Sequence, residues 1–236
     1  MASADKRVAS TLEWLERRGT KANRDGMARY GLVAPKVFGV SVGNVQTLAK
    51  QIGRDHDLAL ALWDTEWYEA RLLTAFVDDP AHVTSFQMDR WARDFDNWGI
   101  CDTVCMHLFD KTPYAWKKVE VWSKRKGEFV KRAAFALLAS LALHDRNAKD
   151  AAFLKGLKTI RAGANDERNF VKKGVSWALR SVGHRNSGLH AAAVAEAERL
   201  AESRDSTERW VGKDTLRDLM RPIVIKKVAA KDRRAK

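Results

Sequence analysis

The sequence predicts an all-α protein made of antiparallel helix pairs stacked in a row. Three observations carry this. Apolar residues recur at helical spacing along most of the chain. Period-2 strand patterns flanked by paired turn signals are absent. Connections such as Asp78-Asp79 and 110–112 are short, and no Pro/Gly/Ser-rich linker divides the 236 residues. One domain over 1–236 is expected.

The elements follow in order. Val8, Leu12 and Leu15 mark the first helix. Ser41 is an N-cap for a helix carrying Val45, Leu48 and Ile52. Leu58 to Trp63 and Trp67 to Phe76 read as two short helices. Pro80 is expected to open the next, with Val83, Phe86, Met88 and Trp91, since proline suits a first helical turn. Trp98 to Leu108, Ala115 to Ser123, Glu128 to Leu143 and Ala148 to Arg161 continue the series. Phe170 to Gly183, Gly188 to Ala201 and Thr207 to Leu219 complete it. Helix pairs recur roughly every 35–45 residues, the range of HEAT-type repeats. Such an α-solenoid curves, and a concave basic face on it can follow a duplex backbone.

Composition narrows the function. The formal charge is +13, from 43 Lys+Arg against 30 Asp+Glu, which favours a polyanionic partner, nucleic acid first among them. A basic tail at about 226–236, free to be disordered, holds part of the excess and offers non-specific phosphate attraction. No apolar run approaches the ~18 residues of a membrane span, and the charged first segment is no signal peptide, so a cytoplasmic protein without membrane contact is expected. Cys101 and Cys105 share one helix rather than a disulfide framework. No CxxC, HExxH, GxGxxG or GxxxxGK[ST] occurs, so no metal and no cofactor are expected.

Four stretches carry a resemblance. They are MARYGLVAPKVFGV at 27–40, LWDTEWYEARLLTAF at 62–76, NWGICDTV at 97–104, and the pair VKRAAFALL at 130–138 with FVKKGVSWALRSV at 170–182. In this order they resemble the AlkD family of DNA alkylation-repair glycosylases, which are HEAT-like solenoids. In that family two tryptophans and an aspartate line a cleft of the concave face. The resemblance maps Trp98, Asp102 and Trp177 onto this trio and Arg132 onto an arginine that contacts the DNA backbone. Tyr30 matches a family tyrosine, and Arg180, Lys173 and Lys172 are further DNA-contact candidates around Trp177.

The residue types suit the chemistry that the resemblance implies. An N3- or N7-alkylated purine is already cationic and leaves without a general acid. Its departure passes through an oxocarbenium-like sugar. A carboxylate at Asp102 would stabilise that cation and position water, and indole faces at Trp98 and Trp177 would attract the cationic nucleotide. The implied activity is monofunctional: base excision of 3-methyladenine or 7-methylguanine from double-stranded DNA, leaving an abasic site. The expected form is a monomer.

Each residue also has a plain reading. Tryptophans usually pack in cores. Asp102 could be an exposed helical acid or an arginine partner. Arg132 could belong to the solvated face of Lys124, Arg125, Lys126 and Lys131, and Arg180, Lys172 and Lys173 could be solvated too. Tyr30 could simply pack. Trp67 and Arg71, at i, i+4, read as a structural stacking pair. Two rival functions use the same composition: a non-catalytic binder of damaged or branched DNA, which would need no carboxylate in its groove, and a protein-interaction scaffold.

Overall fold

The protein is described from a computed structural model covering residues 2–235. Its described residues form fourteen α-helices and one 3-10 turn, Phe109–Lys111, with no strand among them. The chain divides after Pro113 into two compact units.

The first unit holds α1 (Ala2–Glu16), α2 (Lys21–Arg29), α3 (Val42–Ile52), α4 (His56–Trp63), α5 (Tyr68–Val77), α6 (Ser85–Asp94) and α7 (Trp98–His107). Helix α5 packs against α3, α4 and α7, and nearly all its residues are buried. A parallel stack of Trp63 on Trp91, with centroids 4.0 Å apart, fills the middle of the unit. Trp63 Nε1 donates to Asp94 at 2.8 Å, so its polar edge is satisfied.

Two expectations are corrected here. Arg71 lies over the ring of Trp63, 5.0 Å from its centroid, and not over Trp67. Trp67 is the N-cap of α5, with extended backbone (ψ 131°), so helical i, i+4 spacing does not apply to it; it stacks on Phe38 instead, at 3.8 Å. Pro80 does not open α6. Asp79 draws residues 79–82 into a turn by accepting from Ala81 N, and Thr84 caps the helix by accepting from Gln87 N at 3.1 Å. Phe86, at the first turn of that shifted helix, is 73% exposed.

The second unit holds α8 (Ala115–Trp122), α9 (Glu128–His144), α10 (Asp150–Gly163), α11 (Asn169–Gly183), α12 (Ser187–Ala201), α13 (Ser206–Leu219) and α14 (Pro222–Ala235). Every residue of α9 from Arg132 to Ala142 is buried, as expected of a helix that is apolar all round. It packs on α8 and α11, and α13 packs on α11 and α12. The basic C-terminal segment is helical: α14 runs through it to Ala235, anchored by buried Val224 and Val228.

Candidate functional site

In the first unit, the candidate residues stand on the first turns of α7. Asn97 caps it, its side-chain oxygen accepting from Ile100 N at 3.0 Å. Cys101 and Cys105 are buried. Trp98 and Asp102, one turn apart, are both half-buried. The Trp98 indole does not turn freely: its Nε1 donates to the carbonyl oxygen of Tyr30 at 2.9 Å. The Tyr30 ring itself is 72% exposed. Gly99 is required by close approach, because a Cβ there would lie 2.5 Å from the Tyr68 hydroxyl. That hydroxyl is buried, which pushes its pKa up and keeps it neutral.

The segment that presents the Tyr30 carbonyl is fastened to α5. Tyr68 N donates to Lys36 O at 2.9 Å. Glu69, fully buried, accepts three backbone N–H groups: Phe38 at 3.0 Å, Gly39 at 2.6 Å and Val40 at 3.0 Å. Gly39 has φ +83°, and a Cβ there would strike the Thr20 carbonyl and the Arg24 side chain. On the other side Arg24 Nη1 donates to Phe38 O at 2.7 Å and Asn23 to Gly39 O at 2.9 Å. Sequence reading assigned Glu69 no role. The signal for it was an acid within the otherwise apolar face of YEARLLTAFV, where an unpaired charge would be too costly to bury.

In the second unit, α11 carries Trp177, half-buried, with Lys173 exposed and Arg180 half-buried on the same helical face. Lys172 holds its ammonium over the Trp210 ring at 5.2 Å. Ser176, beside Trp177, donates to Asp214 at 2.7 Å. Arg132 is not on a solvated face. It is 7% exposed and donates from Nη1 to Phe170 O at 2.6 Å, bracing α9 to the start of α11. The loop before α11 is clamped by Asp166, which accepts from Arg168 Nη2 at 2.6 Å and Lys131 Nζ at 2.8 Å. The Arg168 bond, followed by the Lys131 bond and the two charges, holds the Asp166 carboxyl well below the usual carboxylate range.

The candidate tryptophans differ from the rest in what meets their rings. Trp63, Trp67, Trp91 and Trp116 each meet another aromatic ring. Trp14, Trp122 and Trp210 each have a cation at the ring face. Among the described residues, the rings of Trp98 and Trp177 have neither. Each is a part-exposed indole, and Trp98 stands a turn from the part-exposed Asp102; an indole face of this kind can attract positive charge. Among the described residues no cluster of His, Cys, Asp or Glu could hold a metal ion, and no helix is long and apolar enough to cross a membrane.

Known proteins bear on the fold and the family. No curated protein matches the chain. Its fold is similar to that of a solved structure described as belonging to a new family of proteins related to the HEAT-like repeat DNA glycosylases with affinity for branched DNA structures. The TM-score is 0.71 at 21% identity, covering 89% of this chain and 94% of that one. The architecture is therefore HEAT-like, as the helix-pair spacing predicts. The sequence model of the DNA alkylation repair enzymes matches residues 11–219, from within α1 to the end of α13, and the chain belongs to that family.

Proposed function

We propose that this protein is a monofunctional DNA glycosylase that releases cationic N3- or N7-alkylpurines, such as 3-methyladenine and 7-methylguanine, from double-stranded DNA. The observations that support the reading are the part-exposed Trp98, with Asp102 one turn from it, in the first unit and the part-exposed Trp177 in the second, neither indole meeting another aromatic ring or a cation among the described residues. As the glycosidic bond breaks, the electron pair leaves with the purine, neutralising its charge, and positive charge develops on the sugar. Asp102 stabilises that cation and orients the water that adds to the anomeric carbon, whose proton passes to the carboxylate or to solvent. Trp98 and Trp177 offer electron-rich faces to the cationic nucleotide. Lys173 and Arg180 meet backbone phosphates beside Trp177, and Arg132 acts as a positioning residue by holding α11. The product is an abasic site, as in base excision repair.

The test is release of 7-methylguanine from duplex DNA by the wild-type chain and by Asp102→Asn. The expected loss is about 100-fold, the scale for removing one preorganised electrostatic group. Folded wild-type protein that binds DNA yet releases no base above the spontaneous rate would overturn the reading. A non-catalytic binder would then be favoured, a reading supported by the structurally similar protein's described affinity for branched DNA. That outcome predicts tighter DNA binding by Asp102→Asn, since an acid facing phosphates opposes association.

A further inference from the structure

We propose that the outward face of α14 is a second contact for the phosphate backbone of duplex DNA, supplied by Lys226, Lys227 and Arg233. The inference rests on duplex DNA being the partner, as proposed above, and extends the contact beyond residue 219, where the match to the family ends.

Helix α14 is docked by its apolar line. Val224 and Val228 are buried, and the helix packs on α12 and α13. At helical spacing Lys226 and Arg233 fall opposite these valines and Lys227 beside them; all three are exposed. Among the described residues none of the three has a carboxylate partner, whereas Lys131, Arg161, Arg168 and Arg199 of the same unit are all ion-paired.

A fourth cation of the helix is turned inward. Lys231 donates to the carbonyl oxygen of His184 at 2.7 Å. Its pKa is lowered first by burial and then by the neighbouring Arg185 charge. His184 is the C-cap of α11, and its Nε2 lies 2.7 Å from Asp218 of α13. Lys231 thus ties α14 to the end of the helix that carries Trp177. Seven residues separate Trp177 from His184, a rise of about 10 Å along α11. A duplex seated against Trp177 extends well past that distance. On this proposal the outward cations of α14 neutralise phosphates flanking the lesion.

The surface fits a phosphate backbone better than a bilayer. Ile223 and Ile225 are part-exposed but fall on opposite flanks of the valine line. They do not form the continuous apolar stripe that an interfacial helix inserts.

The experiment measures affinity for an undamaged duplex as a function of salt, for the full chain and for Lys226→Ala/Lys227→Ala/Arg233→Ala. The expected result is a fall of about 2–3 in the slope of log K against log salt, at about 0.9 for each phosphate no longer neutralised. The control is Lys117→Ala/Lys155→Ala, which removes two cations grouped around Glu120 and is expected to leave the slope in place. An unchanged slope in the triple variant would overturn the proposal, and so would an equal fall per charge in the control. Tighter attachment of the wild type to anionic vesicles than to duplex would reassign the helix to a membrane surface. The binding assay needs no base release. A failed α14 contact therefore shows as an unchanged slope, and a failed glycosylase reading as absent release from protein that still binds. Wild-type protein with no duplex affinity at all would overturn both.

Discussion

The indole N–H of Trp98 donates to the carbonyl oxygen of Tyr30, 68 residues earlier in the chain. The bond holds the edge of a part-exposed ring, so its loss and the loss of the ring are separable. Trp98→Phe keeps an aromatic face and deletes the donor; Trp98→Ala deletes both. A cation over an aromatic face is worth roughly 0.5–2 kcal/mol. The expected outcome is a ~3- to 10-fold fall in single-turnover release of 7-methylguanine for Trp98→Phe and a larger fall for Trp98→Ala. Affinity for undamaged duplex should stay within about twofold in both, because backbone contacts dominate it.

Glu69 acts on the same feature from inside the unit. Its two carboxylate oxygens accept the N–H groups of Phe38, Gly39 and Val40. In Glu69→Gln one of those oxygens becomes an NH2 donor that faces backbone donors, leaving at least one of them unsatisfied. Hydrogen bonds to a buried charged acceptor contribute ~1.5–3 kcal/mol each, and an orphaned buried donor costs ~1–3 kcal/mol. Urea unfolding should therefore show a loss of about 2–4 kcal/mol. A loss below about 0.5 kcal/mol would mean that the cradle is not needed to hold the segment.

Most helices were legible because their apolar positions repeat with the helical period. The capped ones were sharper still: Ser41 caps α3 where the sequence places it. Helix α2 escaped notice for a physical reason: it buries none of its residues and is held by its Thr20 cap and by Arg24 bonding to Phe38 O. The type and spacing of Trp98, Asp102 and Trp177 were legible, and all three are part-exposed. The supports were not. Glu69 binds backbone groups 29 to 31 residues away, Trp98 binds a backbone carbonyl, and Arg132 reaches Phe170 O. The acid in YEARLLTAFV signals that Glu69 needs partners, but backbone acceptors and donors carry no side-chain signature, so no pattern of residue types says where those partners lie. Trp67 and Arg71 failed for a related reason: their spacing is helical, but Trp67 stands outside the helix.

The clamp at Asp166 makes a pH-dependent contribution of known sign. Its carboxyl titrates well below the usual range, first because Arg168 and then because Lys131 bonds to the charged form. A depressed folded-state pKa stabilises the native state above the unfolded value, about 3.9 for aspartate. That stability is lost as pH falls from there toward the folded value. Asp166→Asn should therefore unfold at lower temperature than the wild type at pH 7. The gap should narrow steadily as melting is repeated below about pH 4. A gap that stays constant into acid would mean that the ion pairs contribute nothing beyond their geometry.

Arg132 is the residue for which bracing and phosphate contact make opposite predictions. Its guanidinium is buried and bonds to the carbonyl of Phe170, the second residue of α11. A phosphate contact would show as a fall of about 0.9 in the salt slope of duplex binding when the charge is removed. A brace shows in stability instead. Deleting a charged hydrogen bond of this part-buried kind costs ~1.5–3 kcal/mol, and in a chain of this length each kcal/mol lowers Tm by about 2–4 °C. Arg132→Met, which keeps much of the aliphatic bulk, should therefore melt several degrees lower with an unchanged salt slope. Release of 7-methylguanine should fall with it, since the start of Trp177's helix is no longer held, while duplex affinity holds. A lowered slope at unchanged Tm would instead make Arg132 a direct DNA contact and leave α11 supported by the Asp166 clamp.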